Sequence, residues 1–463
     1  MMASGMTGKR PNILLVVSDQ QGASMMRCAG TRHLRTPAMD RIAGQGLRFT
    51  QAWCSNPMCL PSRFSLVTGR MGGEFGILHN DDGPDAEIPD EIRQGALGWQ
   101  LRRAGYRTLW GGKEHLPACW TPEDLGFETF CRDDRDELAG SCAEVLRGPH
   151  ERPFCLVACF INPHDICYMA IRDFADEERR RQLERHSSDE LRELDAALAI
   201  PPGMARDEFF AWHCPPLPDN FDIPPEEPEA ISRMQARSPF KRLARERYDE
   251  ERWRLHRHAY ARLTERVDGQ VGRILEALEG SGAAEETLVI FTSDHGDMDA
   301  SHRMEHKTAF YNEAARAPLL IAGPGVRRRG ALENRPVSIG LDLLPTICDA
   351  AGVAPPPDLR GRSLRPLLEG RADVSWRELV PVESEFGRMV TDGRHKYMLY
   401  NEGSGREQLV DLAADPGEMH NALGDPQYQE LLKGLRHGLE EALPEREASG
   451  KSLENTGVTS IRS

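Results

Sequence analysis

"NILLVVSD", residues 12–19, sets five apolar residues in a row, Ile13 to Val17, ahead of a serine and an aspartate. An unbroken apolar run of this length reads as a strand covered on both faces, as in a mostly parallel sheet with helices above and below. Four more runs read the same way: "RTLWGG" (107–112), "FCLVACF" (154–160), "TLVIFTSD" (287–294) and "PLLIAG" (318–323). Ahead of residue 287, Leu263, Val267, Val271, Ile274 and Leu278 recur at helical spacing until "EGSG" (279–282) ends them, which predicts a core-packed helix. Strand patterns alternating with helical ones place the chain in the α/β class.

The texture changes from about Ile171 to Arg252. A charge-rich helical stretch, "DEERRRQLERHSSDELRELDAAL" (176–198), precedes the proline-rich "CPPLPDNFDIPPEEPEA" (214–230). We read 171–252 as an insertion in one large domain, residues 1–370; such excursions either shape a pocket or simply cover the surface. Trp212 and Trp253 are the aromatic candidates for lining a pocket there, against the alternative of plain packing. Beyond "GRSLRPLLEG" (361–370), "HKYMLY" (395–400), "EQLVDL" (407–412) and a helical pattern near Gln427 to Leu443 predict a small C-terminal α+β subdomain over 371–463.

With 463 residues and 39% hydrophobic content the chain can bury a large core. Its 58 basic residues against 73 acidic ones, a formal charge of −15, disfavour nonspecific binding to nucleic acid or anionic membranes. An anionic substrate must then be drawn by a few local cations or a metal ion. "MMASGMTGKRPN" lacks the apolar core of a secretory leader and no later run is long enough for a membrane helix, so a cytoplasmic chain is expected in the form given. A periplasmic or secreted form with a trimmed leader stays open. Eleven cysteines without CxxC pairs are expected to be mostly reduced and buried.

Two strand patterns end in ionisable residues: Asp19 and Gln20 after the first, Asp294 and His295 after the run at 287. Ligands of open α/β sheets bind beyond the carboxyl ends of the strands, so these four side chains can converge into a cation site. Oxygen ligands suit calcium, magnesium or manganese, and the histidine pulls toward manganese-like ions. Helix capping by Asp19 and a plain turn at "SDHGD" are the alternatives. In "MCLPSR" (58–63), Pro61 fits a first helical turn and puts Cys59 at a helix N-terminus, where a thiol is acidic and reactive. A buried structural thiol and a thiolate nucleophile with a histidine partner are the other readings of Cys59.

The longer string "CLPSRFSLVTGR" (59–70) resembles the CxPSR…TGR signature of type I sulfatases, in the alkaline phosphatase superfamily. Six further segments match in family order: "NILLVVSDQ", "GGKEH" (111–115), "NPHD" (162–165), "TSDHGD" (292–297), "HKTAFYNEAARAPLL" (306–320) and "LVDLAADPGEMHNAL" (409–423). The resemblance implies an alkaline-phosphatase-like fold and a sulfuric ester hydrolase. It also implies that Cys59 is oxidised to formylglycine by a maturase that reads Pro61 and Arg63. The formylglycine hydrate carries two hydroxyls on one carbon, one to attack sulfur and one to reform the carbonyl and eject sulfate.

By the same resemblance, Asp19, Gln20, Asp294, His295 and the residue made from Cys59 hold a divalent metal, calcium first, with manganese or magnesium as alternatives. Arg63 orients the formylglycine. Lys113 and His115 contact the sulfate and the hydrate, His115 as base. His164 and Lys307 lie on the leaving-group side, and Asn80 and His306 bind substrate. Gln20 and His295 stand where many arylsulfatases have aspartate and asparagine, a pattern similar to choline sulfatases and phosphonate monoester hydrolases. The expected substrate is a sulfated saccharide or other small organosulfate. Phosphonate or phosphate diester hydrolysis, and noncatalytic ligand binding by unmodified Cys59, are the alternatives.

Overall fold

The computed structural model describes residues 10–82, 86–117, 120–371 and 374–444. Met1–Lys9, Cys119 and residues 445–463, which the readings of the N-terminus, the cysteines and the C-terminal subdomain include, lie outside the described residues.

Among the described residues, ten strands precede residue 340: β1 (Asn12–Asp19), β2 (Gly46–Phe49), β3 (Ala52–Trp53), β4 (Arg107–Gly112), β5 (Glu128–Cys131), β6 (Phe154–Pro163), β7 (Thr287–Ser293), β8 (Leu319–Ala322), β9 (Ala331–Glu333) and β10 (Val337–Ser338). Eight form one sheet in the order β5-β4-β6-β1-β7-β8-β2-β9. Strands β5, β4, β6, β1 and β7 run parallel, and β8 alone is reversed against both its neighbours. The expected mostly parallel sheet is therefore present.

The alternation of side chains along β1 explains its unbroken apolar run. Ile13, Leu15 and Val17 enter the core on one face with Trp53, Phe64 and Leu344, whereas Leu14 and Val16 enter the other with Val267, Val271 and Ile274. Each such burial contributes about 1.5–3 kcal/mol, so a polar residue at either parity is selected against until the strand leaves the core at its end. The helix Glu250–Gly280 covers the second face, as the stripe predicts, and the helices Cys59–Thr68 and Ile339–Ala351 pack together on the first.

The insertion is more structured than an excursion over the surface. It holds helices Glu177–His186, Ser188–Leu198, Arg206–Trp212, Glu229–Arg237 and Pro239–Arg247, and Leu183, Leu194 and Phe209 bury against Leu255, Ala259 and Leu263 of the long helix. Trp253 is fully packed, and Trp212 is 82% exposed at the end of its helix. All ten described cysteines are free, and only Cys28 is not buried.

Strands β11 (Val380–Ser384), β12 (Gly387–Thr391), β13 (His395–Tyr400) and β14 (Glu407–Asp411) form a separate antiparallel meander. The helix Gln429–Ala442 lays Leu432, Leu435 and Leu439 on it. Buried Lys396 of β13 pairs with Glu418 and donates to Phe310 O at 2.6 Å, while Glu418 accepts from Asn312 N at 2.6 Å. This subdomain thereby grips the segment that follows Lys307. Among the described residues no helix is long and apolar enough to cross a membrane.

Candidate active site

Ser18 pairs with Ser293 in the register of β1 and β7, so Asp19 and Asp294 leave the sheet side by side. Asp294 Oδ1 accepts from the backbone amides of Gln20 (3.0 Å) and His295 (2.9 Å), which folds both turns around one carboxylate. Gln20 adopts a positive φ of 68° there. Gly296 is required by close approach, because a Cβ at this position would stand 1.9 Å from Glu313 O. His295 Nδ1 lies 2.9 Å from Gly296 O and, since a carbonyl only accepts, carries a proton. Its Nε2 faces Cys59 Sγ at 3.2 Å.

Cys59 is the first residue of the helix Cys59–Thr68, with Pro61 in its first turn, as the sequence predicts. Two side chains dock this N-terminus. Ser62 Oγ donates to Asp294 O (2.6 Å), and Asn80 Oδ1 accepts from Leu60 N (3.0 Å). Asn80, expected at the substrate, thus uses its oxygen to satisfy a helix-end amide. Arg63 bridges the two aspartates, Nε to Asp294 Oδ2 and Nη2 to Asp19 Oδ2, both at 2.9 Å. It stands one turn along the same helix from Cys59.

Cations converge on the thiol. Lys307 Nζ donates to Cys59 Sγ and to Gln20 Oε1, each at 2.8 Å, and Lys113 Nζ lies 2.8 Å from Asp19 Oδ2. His115, at a positive φ of 39°, stands near enough to Cys59 for the thiol to bear on its titration. His164 opens the turn His164–Cys167 with Nδ1 buried and unpartnered, and its charged form would act on Asp19. His306 touches Glu305, and its ring packs on Phe240. The site thus brings together Asp19, Gln20, Cys59, Arg63, Lys113, His115, His164, Asp294, His295 and Lys307. Gln20 is engaged by protein groups: Oε1 by Lys307, and Nε2 by Asp297 Oδ2 at 2.6 Å. Asp297 went unnoticed in the sequence, although it is the last residue of "TSDHGD".

Electrostatics follow from this packing. Burial raises Asp19, but Lys113, Arg63, His164 and Lys307 outweigh it and hold the carboxyl well below the usual range. Burial and Asp19 likewise raise Cys59, and Lys307, Lys113 and His295 reverse them, leaving the thiol well below its ordinary value. Burial and Asp19 push Asp294 up to about 6. Burial takes Asp297 to about 7 and lowers His115.

The donor set fits a divalent ion. One ligand atom each from Asp19, Cys59, Asp294 and His295 lies within 4.8 Å of all the others, and all four residues are buried. Oxygen ligands of calcium stand about 2.3–2.6 Å from the ion, so opposite ligands are at most about 5 Å apart. The cluster is therefore already the size of a coordination shell.

The sulfatase family model matches residues 11–353 of this chain. The chain belongs to the sulfatase family. The sulfatase also matches, over residues 300–445, the C-terminal family of N-sulphoglucosamine sulphohydrolase. It is 29% identical to a Delta 4,5-hexuronate-2-O-sulfatase of Bacteroides thetaiotaomicron over 97% of this chain and 92% of that one. A choline-sulfatase of Rhizobium meliloti is 28% identical over 91% of this chain and 84% of its own. Among solved structures, a 2-O GAG sulfatase superposes with a TM-score of 0.77 at 27% identity, covering 94% of this chain and 92% of that one. The sulfatase is a sulfuric ester hydrolase with the expected alkaline-phosphatase-like architecture.

Proposed function

We propose that this sulfatase hydrolyses the sulfate ester of a saccharide to alcohol and inorganic sulfate, using formylglycine made from Cys59 beside a divalent ion. One observation carries the reading: Cys59 Sγ stands in the four-group cluster while Lys307 donates to it at 2.8 Å. Sγ marks the place of one hydroxyl of the formylglycine hydrate. Asp19, Asp294 and His295, with residue 59, would hold the ion, calcium first and manganese or magnesium as alternatives. When bound, the ion polarises the sulfate and lowers the pKa of the attacking hydroxyl.

The chain's own residues supply the rest. Lys307, anchored on Gln20 Oε1, fixes the side chain of residue 59 and meets negative charge as it develops. Lys113 holds Asp19 ionised and adds a second cation. His115 is kept neutral by burial and takes the hydrate proton that must leave before sulfate departs. His164, with a free Nδ1, serves the leaving oxygen.

Turnover of aryl sulfate and saccharide sulfates by protein coexpressed with a formylglycine-generating maturase tests the reading, with an aryl phosphonate measured in parallel. Faster phosphonate than sulfate hydrolysis would replace it with the diesterase alternative. Lys307→Met is expected to lower kcat by about 10²–10³-fold with a smaller change in KM, because the charge it answers is greatest in the transition state. An equal rise in KM alone would show that Lys307 only binds substrate. Added calcium should also raise the unfolding free energy of the unconverted protein, by about 2.7 kcal/mol at a hundredfold excess over Kd. No shift with calcium, manganese or magnesium would remove the metal from the proposal.

A further inference from the structure

The helix Pro239–Arg247 of the insertion packs on the helix Tyr168–Asp173, which directly follows the turn carrying His164. That contact brings Phe240 and Lys241 beside the site. The Phe240 ring lies against His306, centroids 5.2 Å apart. Lys241, partly exposed, is within electrostatic reach of Lys307, Asp297, Cys167 and Glu385, and exerts the strongest charge effect on His306.

The two acids that act on Lys241, Asp297 and Glu385, are already taken, and the buried carboxylate of Glu305 lies against His306. Asp297 Oδ2 accepts from Gln20 Nε2, and Glu385 Oε2 pairs with Arg237 at 2.9 Å while its Oε1 lies 3.7 Å from His79 Nε2. Among the described residues, no carboxylate reaches ion-pair distance of the Lys241 ammonium and no hydrogen bond engages it. A half-buried, unpaired ammonium beside a cationic site is costly unless a ligand answers its charge. Burial accordingly brings Lys241 down to about 8, with Lys307 opposing its charge as well.

We propose that Lys241, flanked by His306, binds a second anionic group on the alcohol half of the substrate, so that this enzyme acts on acidic sulfated saccharides. The inference rests on the formylglycine-sulfatase reading and deepens it. A carboxylate or a second sulfate satisfies the same chemistry, a compact anion some way from the scissile ester. Because Lys241 sits on the insertion and outside the motif segments, substrate choice is separated in sequence from the chemistry.

The test uses converted full-length protein on four esters. 4-Nitrophenyl sulfate and N-acetylglucosamine 6-sulfate carry no second anion. Unsaturated hexuronate 2-sulfate adds a carboxylate, and glucosamine N,6-disulfate adds a sulfate. We expect the wild type to prefer an anionic ester, and Lys241→Met to lower its kcat/KM relative to the neutral esters by about tenfold or more, chiefly through KM. Lys241→Arg, which keeps the charge, should retain most of the preference, and the ester that loses most identifies the group. A ratio unchanged within about twofold in Lys241→Met, or a wild-type preference for neutral esters, overturns the inference. Failure of the wild type to turn over any of the four esters overturns the sulfatase reading itself, and the inference falls with it.

Discussion

Cys59→Ser is expected to lower sulfate-ester turnover by about 10⁴-fold or more while the melting temperature stays close to that of the unconverted wild type. Serine keeps one nucleophilic atom in the place of Sγ, 2.8 Å from the Lys307 ammonium and 3.2 Å from His295 Nε2, so transfer of the sulfuryl group to residue 59 stays geometrically open. Release does not, because a serine ester has no second hydroxyl on its carbon with which to expel sulfate. The variant should therefore give at most one equivalent of alcohol and stop, whereas Cys59→Ala should give none. An aldehyde-reactive hydrazide should label the wild type at residue 59 and neither variant. Steady turnover by Cys59→Ser would mean that formylglycine is not the nucleophile.

On the formylglycine reading proposed above, burial dictates when conversion must happen. Cys59 has no exposed surface and Arg63 is 2% exposed, so a maturase cannot read "CLPSR" on the folded chain. Adding the maturase to refolded protein is expected to leave residue 59 a thiol, and coexpression is expected to convert it.

What the sequence makes legible here is what has a short period or a contiguous signature. The unbroken runs of β1, β6 and β7 announce a sheet buried on both faces, and residues at strand ends are placed by the sheet itself, which brings Asp19 beside Asp294 across 275 positions. The reversal of β8 has no such signal, because an apolar strand reads alike in both directions. The insertion misleads for a related reason. Its helices are short, highly charged and interrupted by prolines, and they bury only a few positions each, such as Leu183 or Ala244. Lys241 is a lysine in "PFKRLARER", where nothing distinguishes it from its solvated neighbours until the helix is laid against the His164 turn. Asp297 is likewise visible only through its contact with Gln20, whose amide it fixes so that Oε1 meets Lys307.

Arg63→Ala should cost the unconverted protein about 3–5 kcal/mol of stability, seen as a lower urea midpoint, independently of any effect on activity. Its guanidinium is shared between two carboxylates with no exposed surface, and removing it leaves both buried, Asp19 with Lys113 Nζ at 2.8 Å and Asp294 with His295 Nε2 at 3.6 Å. Burial alone would lower the arginine's pKa, yet Asp294 and Asp19 raise it. Using unconverted protein matters, because in the proposed formylglycine reading the same arginine belongs to the maturation signal and its loss would otherwise mix a chemical defect with a structural one. A divalent ion answers the same two charges, so calcium should recover more stability in Arg63→Ala than in the wild type. Arg63→Lys should fall between, since an ammonium is a point charge without the planar fork that reaches Asp294 through Nε and Asp19 through Nη2 together. Equal midpoints for Arg63→Ala and wild type in chelator would show that the two aspartates share a proton in place of the arginine's charge, and the site would then be organised by protonation.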